Sequence, residues 1–168
     1  MKLSLFVSII LLAFQLSAQQ PKLKLTIEAS ATIATSDALH NYYIVKYDNT
    51  IVKYDSTGNV LSTFKNKNTA EVSEIDVSNP LEVAVYYAVI NDLVLLDNSL
   101  SEIRTFHLTN QSNFFSLFCK TSGGNFWFFD HSKNVLVLFD KNLNKITETG
   151  LLSSILKVNK RPCALKTY

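Results

Sequence analysis

The sequence contains few residues of the types that build metal, haem or disulfide sites. Its 168 residues include two cysteines and three histidines. His40, His107 and His131 lack a metal-ligand spacing such as His-x-x-x-His. Cys119 and Cys163 form neither a disulfide framework nor a haem motif, and the sequence leaves open whether they are bridged. We therefore expect no metal and no cofactor.

An excess of one charge is also missing. Sixteen basic and fourteen acidic residues are interspersed, with a formal net charge of +2. Nucleic-acid-binding proteins usually carry a basic face or stripe, so a nucleic-acid partner is not expected. There is also no phosphate-binding glycine loop and no Gly-x-Ser-x-Gly nucleophile elbow. These absences predict a protein that is not an enzyme.

The one long apolar run lies at the start of the chain. Lys2 precedes the apolar stretch Leu3–Phe14, and Ala18 provides a small residue at the expected cleavage point. This pattern is typical of a secretory signal peptide over residues 1–18, with a retained interfacial anchor as the alternative. No later run approaches the roughly 20 apolar residues of a transmembrane helix. We expect residues 19–168 to form one exported domain, periplasmic or secreted, without a transmembrane segment.

An internal repeat is the strongest signal in this domain. Three apolar runs end on Asp55, Asp97 and Asp140, and these aspartates are 42 and 43 residues apart. A second apolar stretch follows each one. Repeats of about 40–45 residues built from several short strands are typical of β-propeller blades. An all-β solenoid is the alternative, but the turn at Asp55–Gly58 favours antiparallel hairpins.

Each repeat divides into four predicted strands, labelled a to d, with turns at Gly58, Pro80 and Gly123-Gly124. The predicted strands are Ala31–Thr35, Asn41–Lys46, Thr50–Tyr54 and Val60–Phe64; then Val72–Val77, Leu81–Ile90, Leu93–Leu96 and Ser101–Leu108; then Asn113–Cys119, Asn125–Phe129, Asn134–Phe139 and Lys145–Thr149. The b and c strands are nearly continuous apolar runs, which predicts burial on both faces. The fold class is therefore all-β, with four-stranded antiparallel repeats of about 43 residues.

The number of repeats is unusual for a propeller. Residues 19–168 hold about three and a half units, whereas propellers typically have four to eight blades. Lys157–Tyr168 looks like the first strand of a further unit. The favoured interpretation is a chain truncated at its C-terminus. The alternatives are two chain ends that complete one blade, and open blade edges that self-associate.

Three segments resemble exported bacterial β-propeller proteins of the group with NHL, YVTN and pyrroloquinoline-quinone-type repeats. They are Val52–Val60, Ile75–Leu81 and Val94–Leu100. The likeness extends over Ala31–Gly150 and implies a propeller fold without a specific activity. Because Trp127 is the single tryptophan, the regular docking tryptophans of quinoproteins are missing, and the resemblance implies no quinone cofactor.

In a sheet of consecutive antiparallel strands, the a–b and c–d turns lie at the same end. We expect this end to be a polar surface that binds a protein, a peptide or a glycan; an ordinary solvated rim is the alternative. For the three aspartates, turn formation is favoured over binding of Ca²⁺ or a cationic ligand. The candidate binding residues are Thr35, Ser36, Asp55, Ser78, Asn79, Asp97, Thr121, Ser122 and Asp140.

Two further clusters have alternative interpretations. Glu74 and Asp76 point to the same side of the innermost strand of the second repeat. They are either solvated acids or the general acid–base pair of a periplasmic hydrolase or lyase. The aromatic residues of Phe114–Phe118 and Phe126–Phe129 are interpreted as core between repeats, with a sugar-stacking platform as the alternative. The favoured function is an exported, non-catalytic scaffold or binding module.

Overall fold

The computed structural model describes residues 26–67, 70–108 and 115–156. These residues form three four-stranded antiparallel sheets, which we call blades 1, 2 and 3 in chain order. The predicted signal peptide, Phe114, Cys163 and the segment Lys157–Tyr168 lie outside the described residues. Within the described residues, no helix is long and apolar enough to span a membrane.

The strands agree with the predicted ones to within two residues at all but one end; the second strand of blade 2 ends at Tyr87, three residues earlier than predicted. Blade 1 comprises β1 Ala31–Ser36, β2 Tyr42–Lys46, β3 Ile51–Tyr54 and β4 Val60–Phe64. Blade 2 comprises β5 Glu74–Asp76, β6 Glu82–Tyr87, β7 Asp92–Asp97 and β8 Glu102–His107. Blade 3 comprises β9 Phe115–Lys120, β10 Phe126–Asp130, β11 Val135–Phe139 and β12 Lys145–Glu148. A short helix, α1, follows at Leu152–Leu156.

In each blade, consecutive strands pair in sequence order. This order places the a–b and c–d turns of a blade at the same end of its sheet, which we call the turn face. Contacts between β5 and β9 bring the first strands of blades 2 and 3 together. The first strand of each blade is therefore the inner one, and the repeated sheets form a partial β-propeller of three blades.

Blade 2 shows why its middle strands are apolar throughout. Alternate side chains of β6 point in opposite directions. Val83 and Val85 pack into a core with Tyr43 of blade 1. Ala84 and Tyr86 pack into a second core with the phenylalanines of blade 3. The predicted burial on both faces is confirmed for the middle strands of blade 2, whereas β2 and β11 alternate between buried and half-buried residues. The phenylalanines of β9 and β10 are buried and form core rather than a surface platform.

The c–d turns place one residue of each blade in the left-handed backbone region. Gly58 occupies this position in blade 1, whereas leucines, Leu100 and Leu143, occupy it in blades 2 and 3. A left-handed conformation is unfavourable for leucine. Both leucine side chains pack against the cores between blades. Burial of these side chains offsets the backbone strain and attaches each turn to the adjacent blade.

Candidate binding site

The three repeat aspartates form the c–d turns. The Asp55 Oδ1 atom accepts hydrogen bonds from the backbone N–H groups of Thr57 at 2.8 Å and Asn59 at 2.9 Å. Asp97 and Asp140 accept the equivalent bonds from the residues two and four positions later. The predicted turn role is confirmed. Within the described residues, no group of three or more His, Cys, Asp or Glu side chains is placed to hold a metal ion.

The same bonds favour the charged carboxylates. The side-chain hydrogen bond from Thr57 and those from Asn59 hold the pKa of Asp55 well below its usual range. The hydroxyl of Ser99 and the side chain of Asn144 have the corresponding effect on the pKa values of Asp97 and Asp140. These aspartates therefore stay charged over a wide pH range, and the turns they close stay fixed.

Asp37 forms an a–b turn of the same kind in blade 1. Its carboxylate accepts bonds from the Leu39 and Asn41 N–H groups and from the buried Tyr43 hydroxyl at 3.0 Å. Burial alone would raise the pKa of Asp37, but the bonds from Asn41, Tyr43 and Leu39 outweigh burial and lower it. Burial, together with the bond to Asp37, raises the pKa of Tyr43.

Replacing Asp37 with alanine is expected to lower the free energy of unfolding by about 1–3 kcal/mol at neutral pH, because the buried Tyr43 hydroxyl loses its acceptor. The folded-state pKa of Asp37 is depressed, so its contribution is present above the ordinary value of 3.8 and is lost as the pH falls through the folded-state value. The difference between the wild type and the variant in urea titrations should therefore narrow as the pH falls below 3.8, although a protonated Asp37 still offers an acceptor to Tyr43. Glu71→Ala, at an exposed acid, is the control; a difference that keeps its full size at low pH would contradict the assignment.

The a–b turns of blades 2 and 3 enclose a cavity of about 420 Å³ on the turn face. Blade 3 contributes a turn in which the Thr121 hydroxyl accepts a bond from the Asn125 N–H at 3.0 Å. Blade 2 contributes a turn in which Asn79 Oδ1 accepts from the Leu81 N–H, also at 3.0 Å. The lining residues are Ser78, Asn79, Pro80, Lys120, Thr121, Ser122 and Gly124.

A buried lysine contributes to this cavity. The Lys120 side chain is only 3 % exposed and forms an ion pair with Glu82, whose side chain is 34 % exposed. The Lys120 ammonium also donates to the Glu82 carbonyl oxygen at 3.4 Å. The pair links the inner strand of blade 3 to the second strand of blade 2, and the lysine charge is matched by that of Glu82. The cavity is therefore polar without an excess of either charge.

The inner-strand carboxylates join the same two blades. The N–H of Phe118 donates to Glu74 Oε2 at 3.0 Å, and the N–H of Lys120 donates to Asp76 Oδ2 at 2.8 Å. The second Asp76 oxygen accepts from the Ser78 N–H at 2.9 Å. The expectation of solvated acids is corrected: the carboxylates bind the backbone of the adjacent strand because inner strands lie close together. Both Asp76 oxygens accept hydrogen bonds from backbone N–H groups. This geometry therefore gives no support to a general acid–base pair of Glu74 and Asp76.

Cys119 lies between these two backbone contacts and is buried as a free thiol. Burial raises its pKa to about 11, and the negative charges of Asp76 and Glu74 add to the effect. A thiol is reactive as the thiolate. Cys119 is therefore expected to react slowly in the folded protein and can serve as a reporter of the opening of this interface.

The cavity gathers four of the nine candidate residues predicted from the sequence: Ser78, Asn79, Thr121 and Ser122. The other five, Thr35, Ser36, Asp55, Asp97 and Asp140, lie at or beside turns of the turn face but do not line it. Pro80, Lys120 and Gly124 also line the cavity but were not among the predicted binding residues. Lys120 could have been recognised as a site residue because it ends an apolar run directly before a turn.

No family model matches the chain, and no curated protein matches its sequence. Solved β-propellers are similar in structure. A streptogramin B lyase has a TM-score of 0.59 and 17% identity, over 76% of this chain and 43% of that one. Virginiamycin B lyase from Staphylococcus aureus has a TM-score of 0.58 and 15% identity, over 78% and 43%. The WD40 β-propeller domain of Doa1 has a TM-score of 0.50 and 15% identity, over 68% and 38%.

These comparisons show the fold. The chain spans less than half of the length of these structures. They also correct one expectation, that the protein is not an enzyme: lyases have this fold, so the fold gives no reason to exclude catalysis. The expectation rested on missing linear motifs, and a site assembled from separate blades leaves no such motif. Identities of 15% to 17% do not transfer lyase activity to this chain.

Proposed function

We propose that the protein is an exported binding module that holds a polypeptide segment in the cavity between the a–b turns of blades 2 and 3. The observation that carries the proposal is the convergence of Ser78, Asn79, Thr121 and Ser122 on one cavity. Concave sites with a few placed polar groups are the usual form of ligand sites. Export is supported by the signal-peptide pattern of residues 1–18.

The chemistry of the lining favours a peptide over a glycan. Among the described residues, those that line the cavity include hydroxyl and amide side chains but no aromatic ring on which a sugar could stack. Backbone N–H and C=O groups of a peptide match hydroxyl and amide partners. Lys120 is paired with Glu82, so a strongly charged ligand would meet no uncompensated charge. The expected ligand is therefore a neutral, extended segment of a protein.

The turns that present these side chains are fixed before any ligand binds. The Thr121 hydroxyl holds the Asn125 backbone, and the Asp76 carboxylate holds the Ser78 backbone. A preformed site loses little conformational entropy on binding, which favours affinity. Ser122 is exposed and projects from this fixed frame. It is the best position for a substitution that fills the cavity without disturbing a turn.

Ser122→Trp is expected to abolish capture of the partner in a pull-down from an envelope extract with residues 19–168 as bait. A tryptophan at this position occupies the space that the ligand needs. Ser56→Trp is the matched control, because Ser56 is an exposed serine in the c–d turn of blade 1, away from the cavity. Proteins enriched on the wild type and on Ser56→Trp, and lost from Ser122→Trp, support the proposal. Equal enrichment on all three baits, or none on the wild type, contradicts it.

A further inference from the structure

Blade 2 shows how a blade of this protein is covered on both sides. The side turned towards blade 1 consists of Val83, Val85, Val94 and Leu96, and these residues are buried in the first core. The side turned towards blade 3 consists of Ala84, Tyr86, Leu93 and Leu95, buried in the second core. We call these the backward and forward faces of a blade. Each is apolar, and each needs a neighbouring blade.

The forward face of blade 3 has no neighbouring blade among the described residues. Trp127 pairs with Leu138 and Phe129 pairs with Leu136, as Ala84 pairs with Leu95 and Tyr86 with Leu93 in blade 2. These four residues are therefore the equivalent of the covered forward face of blade 2. Phe129 is buried, but Trp127, Leu136 and Leu138 are only half-buried.

The backward face of blade 1 also has no neighbouring blade among the described residues. Tyr42 pairs with Tyr54 and Ile44 pairs with Val52, as Val83 pairs with Leu96 and Val85 with Val94 in blade 2. Tyr42 and Ile44 are half-buried, whereas Val52 and Tyr54 are buried. Packed against each other, these two faces would therefore form an interface of the same kind as those between blades 1 and 2 and between blades 2 and 3.

A buried hydrogen-bond acceptor marks the open face of blade 3. Asn49, Asn91 and Asn134 each end a b–c turn with a left-handed backbone. In blade 1, Asn49 Oδ1 accepts from the Val72 N–H at 3.1 Å, next to the inner strand of blade 2. The Asn134 Oδ1 atom is buried and has no hydrogen-bond partner within the part of the chain that the structure describes. Buried acceptors are rarely left without a donor.

We infer that two copies of residues 19–168 assemble head to tail, so that the forward face of blade 3 in each copy packs on the backward face of blade 1 in the other. The three described blades of each copy then close a six-bladed ring, within the usual range of propellers. Head-to-tail contacts close into rings when the rotation permits. The ring covers both open faces and brings a backbone N–H from the other copy's inner strand to Asn134 Oδ1.

Sedimentation velocity of residues 19–168 should give twice the mass of one chain, with unfolding in a single cooperative transition. Leu138→Arg places a charge on the forward face of blade 3 and should raise the dissociation constant at least about tenfold. Ile103→Arg is the matched control: Ile103 is 54% exposed on the outer strand of blade 2 and should leave the dimer intact. A monomer at all concentrations, open chains of increasing mass, or equal behaviour of the two variants overturns the inference.

A milder variant covers the case in which Leu138→Arg does not fold. Asn134→Gly keeps the left-handed backbone accessible and removes only the buried acceptor. It should weaken the dimer while the circular dichroism spectrum stays unchanged. Trp127, the single tryptophan, gives an independent signal, because its emission should shift to longer wavelength when dilution separates the copies. An unchanged dissociation constant for Asn134→Gly, or dissociation without a shift, contradicts the inference.

Discussion

Replacing Phe128 with alanine is expected to lower the free energy of unfolding by about 3–5 kcal/mol. Phe128 is fully buried between blades 2 and 3. Its ring lies 5.4 Å from that of Tyr86, 4.9 Å from that of Phe115 and 5.7 Å from that of Phe139, centroid to centroid. The substitution removes these contacts and leaves a cavity that backbone strands on both sides prevent from closing. Urea titration followed by circular dichroism measures the change.

Tyr47→Ala provides the aromatic control. Tyr47 is 74% exposed in the b–c turn of blade 1, and surface substitutions usually change stability by less than about 0.5 kcal/mol. A Phe128→Ala variant as stable as Tyr47→Ala would contradict the packing of blade 2 on blade 3. Since domains are stable by only about 5–15 kcal/mol, we expect Phe128→Ala to be partly unfolded at physiological temperature.

Replacing Asp76 with alanine is expected to cost about 1.5–3 kcal/mol, the range for hydrogen bonds to charged groups. The carboxylate accepts from the Lys120 N–H and the Ser78 N–H. Lys120 is buried, so its N–H has no water to replace the lost acceptor. Asp76→Asn keeps one acceptor oxygen and should lose less stability. Denaturant titration of both variants gives the two values.

The reactivity of the Cys119 thiol shows whether the stability lost in Asp76→Ala is lost at the contact between blades 2 and 3. This thiol, with a pKa raised to about 11 by burial and by the nearby acids, should react slowly with a thiol reagent in the wild type. In Asp76→Ala the inner strands of blades 2 and 3 separate more often, and the reaction should accelerate by at least about tenfold for a loss of 1.4 kcal/mol. Glu71→Ala, at an exposed acid outside the contact, should keep the slow rate. Equal rates in all three proteins would show that Asp76 does not hold the blades together.

The repeat accounts for how much of the fold could be predicted. The positions of three repeats could be predicted from Asp55, Asp97 and Asp140. An Asp side chain closes a turn by accepting hydrogen bonds from the backbone N–H groups two and four residues later. Such bonds are local, so sequence reveals them. The continuous apolar runs of β6, β7 and β10 then indicated burial on two faces.

Contacts between blades could not be predicted in the same way. Lys53 is buried and donates to the Asn98 carbonyl oxygen at 2.8 Å, 45 residues along the chain. Glu74 and Asp76 bind backbone groups 44 residues away. A lysine or an acid in a strand usually indicates a solvated position. Whether these charged side chains have buried partners depends on how one sheet packs on another, and the sequence of a single strand does not show this.

The candidate site illustrates the same limit. Nine polar residues were predicted at one end of the sheets, and the topology places the turns that carry them there. Which of them meet depends on the angle between blades and on the form of each turn. The a–b turn of blade 2 has Pro80 and differs from the aspartate turns. Ser78 and Asn79 of this turn line one cavity together with Thr121 and Ser122 of blade 3.

Site-specific photo-crosslinking tests most directly whether this cavity is the binding site. A benzophenone amino acid is introduced at Ser122 in one variant and at Ser56 in another, and each is irradiated in envelope extract with the partner captured in the pull-down. We expect a crosslinked product from position 122, with the attachment point in an extended, uncharged segment of the partner, and none from position 56. Crosslinking at Ser56 alone, or with equal yield at both positions, would contradict the assignment of the cavity.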